Sequence, residues 1–204
     1  KGLTDKDDTV RPQMRAAGIG IIDGFAAEHL DTLLPILESE MERKPAKGMS
    51  ESELELFDWR QQGAVVFLGT TAKQLPKDDP KIMTTVERLG AALMTPSESV
   101  QRSVADCMAP LIAKMRPQAG PLLDEYLAKA TTGKTYGDRR GAAYGLSAVV
   151  KGLGIAALKQ HNVMGTLEEA CKGTSIGGKQ GALFAFECLV ARLGLLFEPY
   201  VIVI

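Results

Sequence analysis

Apolar and polar residues along this chain fall into the same columns five times over. Ala16-Ala17, Gly63-Ala64, Ser103-Val104, Gly141-Ala142 and Gly181-Ala182 fill one slot, with gaps of 47, 40, 38 and 40 residues. Five residues after the first member of each pair stand Ile21, Leu68, Met108, Leu146 and Phe186. Nine residues after it stand Phe25, Ala72, Ile112, Val150 and Val190, and twelve after it Glu28, Leu75, Met115, Leu153 and Leu193. Offsets of 1, 5, 8, 9 and 12 trace one face of a helix.

The columns predict paired helices in a repeat of about 40 residues, the signature of a HEAT or armadillo solenoid. The expected fold is all-α, a right-handed superhelix of about five repeats forming one array over residues 1–204. The first inner helix is placed at 8–28, capped by Asp7 or Asp8, with Pro12 near its first turn. An outer helix follows over 30–43. A polar loop over 44–57 absorbs the longer first gap. The second inner helix spans 58–75 and is closed by Pro76. Pro80 opens an outer helix reaching Met94, and Ser97 or Ser99 caps the third inner helix, which ends near Met115. The fourth pair covers 121–133 and 136–153, with Gly154 as its stop. The fifth covers 155–172 and 178–193, stopped by Gly194. No window alternates with period two, so no strand is expected.

Composition adds little against this picture. The 204 residues are 45% hydrophobic and only 5% aromatic, with a net charge of −1. No uninterrupted apolar run reaches 18 residues, so no membrane span is expected. The chain opens at Lys1 without Met, and 199–204 reads as the start of a further helix. The expectation is a fragment of a longer solenoid with apolar ends that stack on further repeats. Cys107, Cys171 and Cys188 have no metal-ligand spacing and read as free thiols in a reducing compartment, the cytoplasm.

Charge is uneven. Residues 1–128 carry 15 basic and 20 acidic residues, whereas 129–204 carry 9 and 5. Within the basic half, Arg140, Tyr144, Ser147 and Lys151 share one stripe of the fourth inner helix, beside Arg139. Ala142, Leu146, Val149, Val150 and Leu153 lie on its other side. Arg139, Arg140, Tyr144 and Lys151 are therefore candidates for contact with RNA or a protein partner, since Arg pairs with phosphate and Tyr stacks. The competing reading is a solvated polar face in which Arg139 or Arg140 pairs with Asp138 or a neighbouring repeat.

Other motifs are weaker. Gly173–Lys179 fits G-x-x-x-x-G-K, but a helix precedes it and Gln180 stands where a magnesium-binding hydroxyl belongs. A turn between paired helices explains the same glycines. His29 and His161 are isolated, so no metal, cofactor or catalytic residue is assigned. Ser50 and Ser52, among glutamates, fit either a regulatory phosphosite or a plain solvated insertion.

Two blocks carry a resemblance. One is Asp138-Arg139-Arg140-Gly141-Ala142-Ala143-Tyr144-Gly145-Leu146 with Val150–Ile155 and Leu158-Lys159-Gln160. The other is Gly181–Glu187 with Leu196–Val201. Together they resemble the Gcn-one family, the large HEAT-repeat activator of general amino-acid control, in a fungal-looking version. The likeness is strongest over 138–204 and less specific over 1–137. It implies a non-catalytic scaffold that binds stalled or collided ribosomes and helps a kinase acting on the alpha subunit of initiation factor two. It also implies a position at or entering the part similar to elongation factor three, which has an ABC-type ATPase partner. The kinase is implied to bind through a different region. Periodicity alone equally allows a generic HEAT adaptor for transport or assembly, and the glycine-rich turn leaves a nucleotide-binding enzyme as a third reading.

Overall fold

The computed structural model describes residues 1–201, and all regular structure among them is helical. The chain divides into two compact units, residues 1–92 and 93–204, which are described separately.

The first unit holds α1 (Val10–Phe25), α2 (Leu30–Glu42), α3 (Glu51–Ala72) and most of α4 (Pro80–Leu93). Helices α1 and α2 both pack on α3. A short 3-10 turn, Gly2–Thr4, lies against α1 and α3, with Leu3 seated where a side chain on Gly63 would stand. α3 starts seven residues earlier than the polarity pattern predicts. Ser50 and Glu53 form a reciprocal capping box: Ser50 Oγ accepts from Glu53 N, and Glu53 Oε2 accepts from Ser50 N at 2.8 Å. That motif satisfies two orphan backbone donors and turns the glutamate-rich stretch into helix. The loop therefore shrinks to 43–50. α1 is shorter than expected. Its N-cap is Thr9, while Asp7, two residues earlier, accepts from Thr9 N through Oδ1 at 2.8 Å.

The second unit holds α5 (Glu98–Lys114), α6 (Gly120–Thr132), α7 (Tyr136–Leu153), α8 (Ala157–Gln160), α9 (Val163–Lys172), α10 (Ile176–Leu193) and α11 (Glu198–Val201). α7 is central and packs on α5, α6 and α10, while α10 also packs on α6 and α9. The inner helices α5, α7 and α10 thus lie side by side, with α6 and α9 behind them. Thr135 and Asp138 close a capping box at the start of α7, and Gly154 ends it at φ +99°. Ser175 Oγ accepts from Gly178 N at 3.1 Å, so α10 begins before Gly178. Gly194, at φ +56°, ends α10, a conformation that costs glycine little.

The fifth outer element differs from expectation. A single helix over 155–172 is replaced by α8 and α9, separated at His161-Asn162, where Asn162 takes φ +48°. Asn tolerates this left-handed conformation better than most residues. The expected further helix from Pro199 appears as α11; Ile202, Val203 and Ile204 lie outside the described residues.

The repeated columns behave as cores in the middle helices. Leu68, Met108 and Leu146 are fully buried, as are Ala72, Ile112 and Val150. Each large side chain among them contributes about 1.5–3 kcal/mol by leaving water. In α1 and α10 the columns open: Ile21 is 62% exposed, Phe25 58% and Val190 45%. Residues 176–200 are long and apolar enough on average to cross a membrane by length and composition. They include Lys179, Glu187 and Arg192, and Gly181, Ala182, Ala185 and Leu189 of α10 are buried within the unit.

Candidate functional site: the inner-helix face of the second unit

In three of the five repeats the residue two places before the slot has a structural role that the sequence pattern does not announce. In α3 this residue is Gln61, whose Nε2 donates to Glu40 O in the last turn of α2 at 2.9 Å. In α5 it is Gln101, donating to Leu93 O at 2.9 Å and Thr95 O at 2.8 Å. In α7 it is Arg139, donating to Gly133 O at 2.9 Å and Lys134 O at 3.1 Å. These three inner helices so supply donors to carbonyls at or just beyond the end of the preceding outer helix, where intrahelical partners run out.

A second set of bonds links successive inner helices. Arg140 Nε donates to Gln101 Oε1 at 2.8 Å, and Arg139 Nη2 donates to Gln180 Oε1 at 2.6 Å. Arg140 also reaches Pro96 O at 2.6 Å and Glu98 at 3.3 Å, and its side chain is only 13% exposed. Its guanidinium lies 5.1 Å from the Tyr136 ring centroid, and Tyr136 meets Phe184 edge-on at 5.1 Å.

These contacts change the reading of the stripe. Arg139 and Arg140 are turned into the seams between repeats, and Ser147 is fully buried, donating to Tyr144 O and accepting from Arg192 Nε. Of the four contact candidates, Tyr144 and Lys151 reach the surface of the inner face. Pairing with a neighbouring repeat, the alternative weighed for the two arginines, describes their geometry.

Tyr144 and Lys151 line a cleft of about 390 Å³ between α5, α7 and α10, together with Arg102, Asp106, Glu187 and Arg192. Glu98 stands at its edge and accepts from Arg102, Arg140 and the Tyr144 hydroxyl, at 3.2, 3.3 and 3.2 Å. Arg192 is held by Asp106 at 2.7 Å. Lys151 Nζ donates to Arg192 O at 3.1 Å, in the last turn of α10, where a cation also meets the negative end of the helix. Burial raises the Tyr144 phenol above its ordinary value, with Arg102 pulling the other way. The Cys188 thiol, also in the cleft wall, is pushed up to about 12, mainly by burial.

The other motifs resolve simply. Gly173 ends α9, and Gly177 and Gly178 fall in the first turn of α10, so a helix and a three-residue turn stand where a phosphate-binding loop needs a strand. The backbone N–H groups of Gly178 and Lys179 are already taken by Ser175. His161 is not isolated: its Nδ1 lies 2.8 Å from Asp124 Oδ1, a partner 37 residues away. No group of three metal-ligating side chains occurs among the described residues.

Comparison with known proteins fits this architecture. The family model for the HEAT repeats of the stalled ribosome sensor GCN1 matches residues 1–73. These residues lie within 1–137, where the residue-level resemblance is less specific. Protein ILITYHIA of Arabidopsis thaliana is 43% identical over 203 residues, covering 99% of this chain. The stalled ribosome sensor GCN1 of Homo sapiens is 39% identical over 201 residues, and the eIF-2-alpha kinase activator GCN1 of Saccharomyces cerevisiae 32% over 205, each covering 98% of this chain. This chain belongs to the GCN1 family. It spans 7% of the length of the GCN1 relatives it matches. No solved structure matches it. The alignments to GCN1 proteins run almost from end to end, so they cover both units and every helix of the inner face.

Proposed function

We propose that this segment is a scaffold portion of a protein that senses stalled or collided ribosomes and promotes activation of the kinase for initiation factor two alpha. The observation that supports this is the near-complete alignment with relatives named for those two roles. The helical architecture agrees: side-by-side helices offer extended surface and fixed spacing. In this reading the segment is non-catalytic and works by holding partners near each other, raising their effective concentration. The ribosome is one partner and an ABC-type ATPase another, while the kinase binds through a different region. The site of action is the cytoplasm, with no membrane partner. The segment forms one continuous array with its neighbours, at or entering the part similar to elongation factor three. Tyr144 and Lys151 provide contact surface, and Arg139 and Arg140 support it from behind.

The test compares three full-length proteins in cells lacking the native one: the parent, a variant with this segment deleted, and one carrying the human counterpart in its place. Starvation-induced phosphorylation of the initiation factor and co-sedimentation with ribosomes are read in each. The exchange is expected to restore both readouts and the deletion to lose at least the phosphorylation. A deletion that leaves both intact removes the proposed role.

A further inference from the structure

The cleft between α5, α7 and α10 has an uneven inventory of unused hydrogen-bonding groups. Its anions are mostly engaged. Asp106 accepts from Arg192 at 2.7 Å, and Glu98 accepts from three neighbours. Its cations are less so. Lys151 gives one N–H to Arg192 O, leaving two of the three that an ammonium carries. Arg102 bonds Glu98 at 3.2 Å and lies beside the Tyr144 hydroxyl, yet its side chain is 65% exposed. A guanidinium has five N–H donors in a planar fork that fits a carboxylate. Glu187 is exposed on the α10 side and makes no ion pair among the described residues. The open groups are therefore donors on Arg102 and Lys151 and an acceptor on Glu187.

We propose that this cleft docks an acidic segment of a polypeptide partner, with an Asp or Glu side chain placed between Arg102 and Lys151. The Tyr144 ring forms the wall, and Glu187 takes a backbone N–H or a basic side chain of the same segment. The proposal rests on the scaffold reading and adds the chemistry of one partner to it. A polypeptide satisfies both kinds of open group at once, because it offers carboxylates and N–H donors within a few residues. A nucleic-acid backbone does not. Its affinity comes from cations that are free to neutralise phosphates, and here Arg102, Lys151 and Arg192 face Asp106 and Glu187 in the same cleft. A phosphate offers Glu187 no donor, whereas a peptide N–H does. A volume of about 390 Å³ suits one or two inserted side chains rather than a whole domain. Arg and Tyr together are the residue types that most often dominate interface energy.

The experiment uses the full-length protein and fluorescence anisotropy with three labelled probes: a glutamate- and serine-containing peptide of about 12 residues, its glutamine counterpart, and a mixed-sequence RNA of similar length. The glutamate peptide is expected to bind, and to bind roughly tenfold more tightly than the glutamine peptide at low salt. The double variant Arg102→Glu/Lys151→Glu is expected to lose that preference, while Lys172→Glu, away from the cleft, keeps it. A lysine-containing peptide should gain affinity for the double variant, which a merely misfolded protein would not show. Equal binding of the glutamate and glutamine peptides, or no binding, overturns the proposal. So does RNA binding that the double variant abolishes, since that identifies a phosphate surface. Ribosome co-sedimentation of the same variants separates the two readings. Loss of peptide preference with retained pelleting supports the cleft and places ribosome contact elsewhere. Retained pelleting without any peptide preference in the parent ends the cleft proposal and leaves the scaffold reading standing.

Discussion

Arg140 Nε donates to Gln101 Oε1 at 2.8 Å, joining side chains 39 residues apart in sequence. The same Gln101 gives its Nε2 to Leu93 O and Thr95 O. One amide therefore finishes an outer helix and receives the next inner helix. Gln101 is fully buried, so leaving its partners unsatisfied is costly.

Gln101→Leu removes the donors and the acceptor while keeping the size. It should destabilise the protein by about 1–3 kcal/mol, read by urea denaturation. A change under about 0.5 kcal/mol would show that water replaces the amide without penalty.

Two glycines in the repeat slot touch backbone. A methyl on Gly181 would lie 1.7 Å from Ala130 O, and one on Gly141 would lie 2.0 Å from Leu93 O. Carbonyls cannot rotate away as side chains can, so Gly181→Ala and Gly141→Ala must push helices apart. Each should cost about 1–3 kcal/mol or more. Gly20, inside α1, has nothing within 4 Å. Gly20→Ala should stabilise by about 0.4–1 kcal/mol, because alanine favours helix and loses less entropy. Melting temperatures of the three variants check both signs.

Hydrogen bonds from Thr135, through its side chain first and then its backbone N–H, hold the Asp138 carboxyl below its ordinary value of 3.8. A folded-state value below the unfolded one stabilises the fold fully above the unfolded value. The contribution is lost as pH falls through the folded value. Thr135→Ala should lower stability by about 0.5–2 kcal/mol near neutrality. The gap between parent and variant should narrow as acid protonates Asp138. Parallel melting curves at about pH 6 and about pH 3 test this, and a gap that stays constant would show that the box does not depend on the charge.

Burial keeps Cys188 protonated, and Cys107 is buried too, whereas Cys171 is partly exposed. The thiolate is the reacting form. Alkylation of the native protein followed by mass spectrometry should modify Cys171 well before the other two. Early labelling of Cys188 would mean that the cleft opens further than the structure shows.

Much of this fold was readable before any coordinates. The Gly141 and Gly181 slots, the buried Leu68–Met108–Leu146 column and the limits of α7 all follow from helical periodicity and glycine stops. The start of α3 was missed because a glutamate-rich stretch looks like loop unless Ser50 and Glu53 are read as a reciprocal pair. The break at Asn162 has no Pro or Gly to announce it. The roles of Arg139 and Arg140 were hidden for a different reason. Charged residues on a helix suggest solvent, and only the packed structure shows that their acceptors lie in neighbouring helices, many of them about 40 residues away in the chain. Tyr144 and Lys151, chosen by the same rule, do reach the cleft.

The bridges between inner helices also set how the second unit responds to a pull. Gln101, Arg140 and Gln180 all lie in the first turns of their helices, so one bonded edge of the stack runs along that end. Near the opposite end, α5 and α7 meet through Ile112 against Gly152, an apolar contact with no directional bond. Near that end Arg192 of α10 also donates to Asp106 of α5 and Ser147 of α7, and its carbonyl accepts from Lys151, so a pull along the stack is carried by directional bonds at both ends rather than at one.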